Sequence, residues 1–203
     1  MACLKNNSMN KKIVLASQSP RRKELLKYIL PDFDVSPSNI DETIAPGTSP
    51  EDAVKSLSRD KALTVAAKFS NSLVIGSDTV VVFGDKIIGK ANSRDEAKAT
   101  LQMLSGKEHF VLSGVTIIDT DTKTATTEVV KTVVKFSEIP EYMLNEYLDS
   151  GEYEDKAGSY AIQGKGAIFV EYINGDFYNV IGFPINTIYK MLDKLSAIPR
   201  KSE

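Results

Sequence analysis

A polar insert in an apolar segment constrains this chain more than any other feature of its sequence. Residues 73–83 are rich in β-branched side chains, a composition typical of a strand buried on both faces. Gly76, Ser77, Asp78 and Thr79 stand in its middle, and an ionised aspartate there is costly unless a cation or a hydrogen-bond donor compensates. Two interpretations stay open: a turn between two short strands with Asp78 in solvent, or a carboxylate at a strand end that lines a cleft and binds a metal or accepts a proton.

Length and charge limit the class of protein. The 203 residues suffice for one domain or two small lobes with a substantial core. The net charge of −2 indicates neither nucleic acid nor an anionic membrane as a partner. No apolar run approaches the ~18 residues of a membrane span, and residues 1–12 lack the apolar core of a signal peptide, so we expect a cytoplasmic protein. We predict a flexible tail at 1–11, a single domain at 12–196 and a C-terminal tail at 197–203.

The scarcity of cysteine and histidine narrows the chemistry. Cys3 is the only cysteine and His109 the only histidine, which disfavours a disulfide framework, a Cys/His zinc site and a Ser-His-Asp triad. We therefore expect any metal to be a hard cation with oxygen ligands, shared with the substrate. His109 precedes a predicted strand, and we expect its role to be structural.

The N-terminal strand leads into a helix start that suits an anion. Residues 13–16 are apolar, and Ser17 and Ser19 follow as hydroxyl donors, with Ser19 a favourable N-cap. Arg21 and Arg22 then fall in the first helical turn, where the helix dipole favours acids instead. They are either solvated surface arginines or, with the serines and the free N–H groups, part of a phosphate-binding cradle. We prefer the cradle because the cap, the dipole and both cations converge there.

An acidic pair and a lysine are the next candidates along the chain. Asp41 and Glu42 lie in a predicted loop, where adjacent acids are usually solvated but also provide what a Mg²⁺ site requires. Lys61 shares the apolar face of the following predicted helix with Val54 and Leu57. Its ammonium either reaches past the edge of the core to solvent or projects into a cleft.

The remaining pattern predicts a mixed α/β protein with a central, largely antiparallel or mixed sheet. Lys90 follows a predicted hairpin, and residues 151–166 contain four glycines in a mixed-charge loop, a kind of loop that is often functional. The predicted elements of the second half are an antiparallel pair at 109–119 and 126–136, a helix at 140–149, a hairpin of 168–173 with 177–181, and a closing helix at 185–195.

Taken together, these motifs resemble the Maf nucleotide pyrophosphatases. They occur in that family's order and extend over about residues 12–195. The matching residues are Ser17-Gln18-Ser19-Pro20-Arg21-Arg22, Asp41-Glu42, Lys61, Gly76-Ser77-Asp78-Thr79, Gly89-Lys90, Ser105-Gly106-Lys107, and Asp155-Lys156-Ala157-Gly158 through Gly164. The resemblance implies the Maf/Ham1 (ITPase-like) fold, an elongated mixed β-sheet flanked by helices with a cleft between two lobes.

The resemblance also implies an activity and a set of site residues. The activity is hydrolysis of a nucleoside triphosphate to the monophosphate and pyrophosphate with a divalent cation, Mg²⁺ or Mn²⁺. Asp78 is expected to accept the proton of the attacking water and, with Glu42, to bind the metal. The residues expected to hold the substrate and its phosphates are Ser17, Ser19, Arg21, Arg22, Lys61, Lys90 and Lys156.

Three positions bear on the substrate. At these positions Arg22, Thr79 and Gln163 resemble the residues of the family branch that acts on dTTP and UTP, and not those of the branch that acts on 7-methyl-GTP. The Gln163 amide offers both a donor and an acceptor to a pyrimidine edge. CTP and modified pyrimidine nucleotides are further candidates in a nucleotide-pool housecleaning role, and the resemblance suggests a homodimer. One alternative is a pyrophosphatase for inosine-type triphosphates, and another is a non-catalytic nucleotide-binding regulator of cell division and septum formation.

Overall fold

The computed structural model describes residues 11–199. The predicted tail residues 1–10, Cys3 among them, and residues 200–203 lie outside that range, so the proposed domain bounds stay a prediction. None of the helices within the range combines the length and the apolarity needed to cross a bilayer.

Strands and helices alternate along the first half of the chain and hairpins dominate its middle. The strands are β1 Lys12–Leu15, β2 Asp34–Val35, β3 Ser72–Phe83, β4 Lys86–Ile88, β5 Glu108–Asp119, β6 Ala125–Phe136 and β7 Val170–Asn174. The helices are α1 Pro20–Lys27, α2 Pro50–Ala66, α3 Arg94–Leu104, α4 Glu141–Asp149, α5 Phe177–Ile181 and α6 Ile185–Lys194, with a 3₁₀ helix at Lys165–Phe169.

The sheet is mixed, which confirms the predicted class. Its order is β2-β1-β3-β5-β6-β7, with β4 paired to β3, and β1 runs parallel to both of its neighbours while the other pairs are antiparallel. Strand β5 covers one edge of β3 from residue 73 to 82. On the opposite edge, β1 pairs with residues 72–75 and β4 with residues 81–83. Within the described chain, residues 76–80 therefore have no strand partner on that edge.

The polar insert lies inside one continuous strand. The interpretation of residues 76–79 as a turn is wrong, because β3 runs unbroken from Ser72 to Phe83 and Asp78 pairs with Gly114 of β5. The alternative is also corrected in one detail, since Asp78 stands in the middle of the strand instead of at its end. The β-ladder with β5 satisfies the backbone on both sides of the insert, so four small or polar side chains do not end the strand.

Helix α2 lies unusually close to the sheet. A Cβ atom placed on Gly76 would be 2.3 Å from the Ser58 carbonyl oxygen and 2.7 Å from the Ala62 nitrogen. A Cβ on Gly114, in the adjacent strand, would be 2.1 Å from the Val54 carbonyl oxygen. Two glycines thus let the helix backbone rest directly on β3 and β5.

The opposite face of the sheet is covered by two separate cores. One joins α1 and α6 to the first half of β3, with Leu26, Ile75 and Phe183 at its centre. The other joins α3 and α4 to the far ends of β3, β5 and β6, with Val81 and Phe136 among its buried residues. The long strands β3 and β5 are shared by both cores, which gives the predicted arrangement of two lobes.

One predicted hairpin is wrong. Residues 177–181 form helix α5 and not a strand, because the Asp176 side chain accepts hydrogen bonds from the Tyr178 and Asn179 nitrogens and caps a helix. Gly182, with φ at 105°, ends it. The predicted cap Ser19 is confirmed, and Ser49 and Ser93 cap α2 and α3 in the same way.

His109 lies on β5 within the second core and is fully buried. Its Nε2 atom is 2.8 Å from the Tyr160 hydroxyl oxygen, and its ring meets Phe136 and Tyr160 edge-on. Burial lowers the pKa of the imidazole from 6.5 to about 4, so the ring is neutral near pH 7. This environment is that of a structural histidine.

Replacing Gly76 by alanine should destabilise the fold. The added Cβ would meet backbone atoms of α2, which cannot turn away as a side chain can, and overpacking of this kind typically costs about 1–3 kcal/mol. Urea unfolding measures the loss. Gly89→Ala is the matched control, because a Cβ there has nothing within 4 Å. Equal stability of the two variants would contradict the close contact between α2 and the sheet.

Replacing His109 by phenylalanine should remove part of the pH dependence of stability. The unfolded chain takes up a proton near pH 6.5, whereas the folded protein does so only near pH 4. The contribution of His109 is therefore fully present above pH 6.5 and is lost as the pH falls toward 4. Between pH 7.5 and 5 the group accounts for about 2 kcal/mol of lost stability. We expect urea unfolding to show that the free energy of unfolding falls less between pH 7.5 and pH 5 in His109→Phe than in the wild type, by that amount. An equal fall in the two proteins would refute the low pKa.

Candidate active site

A cavity of about 420 Å³ opens at the unpaired edge of β3. Asp78 and Thr79 point to opposite faces of the strand, and both reach the cavity because no neighbouring strand covers that edge. The structure brings every site residue that the family resemblance implies to its wall, whereas Asp41, the other member of the acidic pair, does not line it. These residues are Ser17, Ser19, Arg21, Arg22, Glu42, Lys61, Asp78, Thr79, Lys90, Lys156 and Gln163.

An ion bridge stands at the centre of the cavity wall. The Lys61 ammonium lies 2.6 Å from Asp78 Oδ1 and 2.8 Å from Glu42 Oε1. Lys61 and Asp78 are each 6% exposed, so the lysine does not reach past the core to solvent but projects into the cavity. The ammonium supplies the compensating charge that a carboxylate in the middle of a strand requires.

The two carboxylates of this bridge form a partial set of metal ligands. Both approach the same ammonium, so Glu42 and Asp78 face one region of the cavity, and carboxylate oxygens are the donors that Mg²⁺ and Mn²⁺ prefer. In residues 11–199, no group of three Asp, Glu, His or Cys side chains is placed to hold a metal ion alone. The donor set fits a cation that takes its remaining ligands from phosphate oxygens and water.

The start of α1 forms the next part of the wall. Ser17 Oγ accepts a hydrogen bond from the Ser19 nitrogen, and Ser19 Oγ accepts one from the Arg22 nitrogen. The first turn of α1 contains no acidic residue, and Arg21 is exposed beside the cavity. Free N–H groups, hydroxyls and a guanidinium thus meet at one helix end, an arrangement that binds anions.

Arg22 is held differently from Arg21. Its Nη1 donates to the Ser77 carbonyl at 2.6 Å and its Nε donates to the Gly182 carbonyl at 3.0 Å, while Nη2 lies 3.4 Å from Thr79 Oγ1. Burial lowers the pKa of the guanidinium, and the charges of Asp78 and Glu42 oppose that change. Arg22 therefore links α1 to β3 and to the end of α5, with part of its donor capacity left for a ligand.

The glycine-rich loop brings the last residues. Lys90 Nζ is exposed at 4.0 Å from Asp155 Oδ1, and the Lys156 ammonium donates to the Glu154 carbonyl at 3.0 Å. Gln163 is exposed at the cavity wall. The Glu152 carboxylate accepts hydrogen bonds from the nitrogens of residues 165 and 166 at 2.9 and 3.0 Å, which fixes the chain just after Gln163.

Sequence reasoning missed several residues of the wall. Gly182 accepts bonds from both Arg22 and Thr79, but the interpretation of residues 177–181 as a strand concealed its position at a helix end. Ser38 and Asn39 also line the cavity. Asn39 has a positive φ of 46°, which no pattern in the sequence predicted. The cap signal of Asp176 could have located Gly182, since a glycine commonly follows the last residue of a helix.

The cavity as a whole suits a polyanionic ligand with a reactive centre near Asp78. Its wall carries cations and the helix N–H groups of α1, and the carboxylates of Glu42 and Asp78 stand around Lys61. A buried carboxylate at a cavity wall can orient a water molecule and accept its proton, and cations nearby stabilise charge that develops on phosphate oxygens.

Two curated relatives are similar to this chain over most of its length. A dTTP/UTP pyrophosphatase of Bacillus cereus (strain ATCC 10987 / NRS 248) is 46% identical over 186 residues, which cover 92% of this chain and 91% of the relative. A dTTP/UTP pyrophosphatase of Bacillus anthracis (strain CDC 684 / NRRL 3495) is also 46% identical over 186 residues, covering 92% of this chain and 96% of the relative.

A structural likeness addresses the fold. The Ham1 protein of Staphylococcus aureus superposes with a TM-score of 0.51 at 16% identity, over 91% of this chain and 99% of the other. That likeness concerns the fold alone and confirms the predicted Maf/Ham1 type. The family model described as "Maf-like protein" matches residues 12–195. With this match and the identity to the curated relatives, the chain belongs to the Maf family.

Proposed function

We propose that this protein is a nucleoside triphosphate pyrophosphatase that hydrolyses dTTP and UTP to the monophosphate and pyrophosphate. The observation that carries the proposal is the buried Asp78 carboxylate, which faces a cavity whose wall also carries several cationic side chains and the N-terminus of α1. The two Bacillus relatives named as dTTP/UTP pyrophosphatases support the same reaction and substrates.

We assign a separate role in the reaction to each group of residues that lines the cavity. The N-terminus of α1, Arg21 and Lys90 hold the triphosphate by charge and hydrogen bonding. Lys61 stays between Glu42 and Asp78 and neutralises phosphate oxygens as the leaving pyrophosphate gains charge. Asp78 accepts the proton of the water molecule that adds across the α–β phosphoanhydride bond.

A divalent cation completes the proposed site. Glu42 and Asp78 would hold it, because their oxygens face the same region and match the donors that hard cations select. When bound, such a cation supplies charge neutralisation at the phosphate oxygens.

We assign recognition of the base to Gln163, Arg22 and Thr79. Gln163 is exposed at the cavity wall on a loop held by Glu152, and its amide offers one donor and one acceptor group to a pyrimidine edge. Arg22 and Thr79, joined to each other and to Gly182, also line the cavity. CTP and modified pyrimidine nucleotides are secondary substrates in this proposal.

Product analysis across a nucleotide panel tests the reaction. With Mg²⁺ or Mn²⁺ present, we expect release of pyrophosphate from dTTP and UTP in preference to ITP and 7-methyl-GTP, and no release after treatment with EDTA until the metal is restored. Turnover that favours ITP or 7-methyl-GTP would overturn the substrate assignment. Nucleotide binding without any turnover would favour a non-catalytic regulator, and activity unchanged by EDTA would remove the metal from the proposal.

Replacing Asp78 by asparagine tests the proton acceptor. The carboxamide keeps the shape but cannot take the proton, so kcat for dTTP should fall by ~10²–10⁴-fold. Asp119→Asn is the matched control, because Asp119 also pairs with a lysine, Lys11, but lies away from the cavity wall. The control should retain turnover even where its stability falls. An Asp78→Asn enzyme with a wild-type rate would show that another group accepts the proton.

A further inference from the structure

The hydroxyl of Thr79 makes three polar contacts behind the cavity wall. It lies 2.7 Å from Ser113 Oγ, 3.2 Å from the Gly182 carbonyl oxygen and 3.4 Å from Arg22 Nη2. Ser113 stands directly opposite Thr79 in the ladder between β3 and β5 and is fully buried. Cross-strand neighbours on one face of a sheet are close enough for such a bond.

Donor and acceptor counting fixes the direction of these bonds. A hydroxyl has one hydrogen to give and two lone pairs to offer. The guanidinium of Arg22 can only donate to Thr79, and the carbonyl of Gly182 can only accept from it, so the Thr79 hydrogen goes to Gly182. Ser113 must then donate to the second lone pair of Thr79. Among the described residues Thr79 is the partner of the Ser113 hydroxyl, and a buried hydroxyl left without one would be costly.

The Thr79 hydroxyl consequently has nothing left for a ligand. Its hydrogen and both of its lone pairs are engaged by Gly182, Arg22 and Ser113. The Gly182 carbonyl is likewise filled, since it accepts from Arg22 Nε as well as from Thr79. A base that lies next to Thr79 can therefore form no hydrogen bond with the Thr79 hydroxyl.

We propose that Ser113 is a positioning residue that sets base preference by keeping the Thr79 hydroxyl occupied. The inference rests on the proposed function, because it concerns which base that cavity takes. Uracil and thymine present a carbonyl where cytosine presents an amino group. With Ser113 in place, Thr79 gives no acceptor to that amino group. Without Ser113, the Thr79 hydroxyl can turn and accept from it.

The test compares UTP with CTP in Ser113→Ala. The ratio of kcat/KM for CTP to that for UTP should rise by roughly threefold to tenfold, the value of one hydrogen bond. Ser113→Cys keeps the side chain's size and a weak donor, so its ratio should lie between those of the wild type and the alanine variant. Ser72→Ala is the matched control, because Ser72 is equally buried on β3 but bonds the Ser70 carbonyl away from the cavity. Its ratio should stay at the wild-type value.

A double-mutant cycle separates positioning from a general structural effect. Thr79→Val removes the hydroxyl through which Ser113 acts, so adding Ser113→Ala to it should leave the ratio unchanged. An equal rise in both backgrounds would overturn the proposal, as would an unchanged ratio in folded Ser113→Ala.

Dissociation constants of α,β-methylene UTP and CTP, measured on the same proteins, test the inference independently of catalysis. If the wild type binds these analogues but hydrolyses neither natural nucleotide, the proposed function fails, and the shift in binding preference still decides the role of Ser113. Absence of binding to the wild type would overturn both.

Discussion

The contact of helix α2 with the sheet determines the geometry of this protein. Gly76 and Gly114 leave no side chain between the helix backbone and the two longest shared strands. The atoms that contact Gly76 belong to Ser58 and Ala62, which flank Lys61 in space and in sequence. The depth to which the helix seats therefore fixes how far the Lys61 ammonium reaches toward Asp78. A displacement of about 1 Å in such a site can lower a rate by ~10²-fold, so a packing contact that involves neither Lys61 nor Asp78 would still control the proposed chemistry.

The unpaired edge of β3 explains why one strand serves two purposes. Successive side chains of a strand point to opposite faces, so Asp78 faces α2 while Thr79 faces the side of Arg22 and Ser113. In a fully paired sheet these two faces would line separate spaces. Strand β1 pairs with β3 only as far as residue 75, and β4 pairs with it only from residue 81 onward. Both side chains therefore reach the same cavity. The proposed proton acceptor, Asp78, and the proposed base-contacting residue, Thr79, are thus adjacent residues of one strand.

Local signals in the sequence predicted much of the scaffold, and the resemblance to the Maf family implied most of the candidate site residues. The Ser19 cap located the start of α1, β-rich composition located the long antiparallel pair, and the cost of burying Asp78 pointed to a compensating cation, which is Lys61. Tertiary contacts decided the rest. Asn174-Gly175-Asp176 is turn-like, but whether Asp176 ends a turn or caps a helix depends on the packing of the residues that follow. Likewise, a guanidinium at the start of α1 suits a phosphate, and only the fold shows that Gly182, 160 residues away along the chain, holds the side chain of Arg22.

The bonds of Arg22 have a consequence for how such a protein can change over evolutionary time. One side chain joins α1, β3 and the end of α5 while also lining the cavity. If Arg22 acts as proposed, a substitution there would alter the choice of nucleotide and loosen the junction between early and late segments of the chain in a single step. Proteins lie only slightly above the stability they need. Under that proposal, a lineage would acquire a new base preference at this position after other substitutions had supplied surplus stability, which would constrain the order in which mutations accumulate.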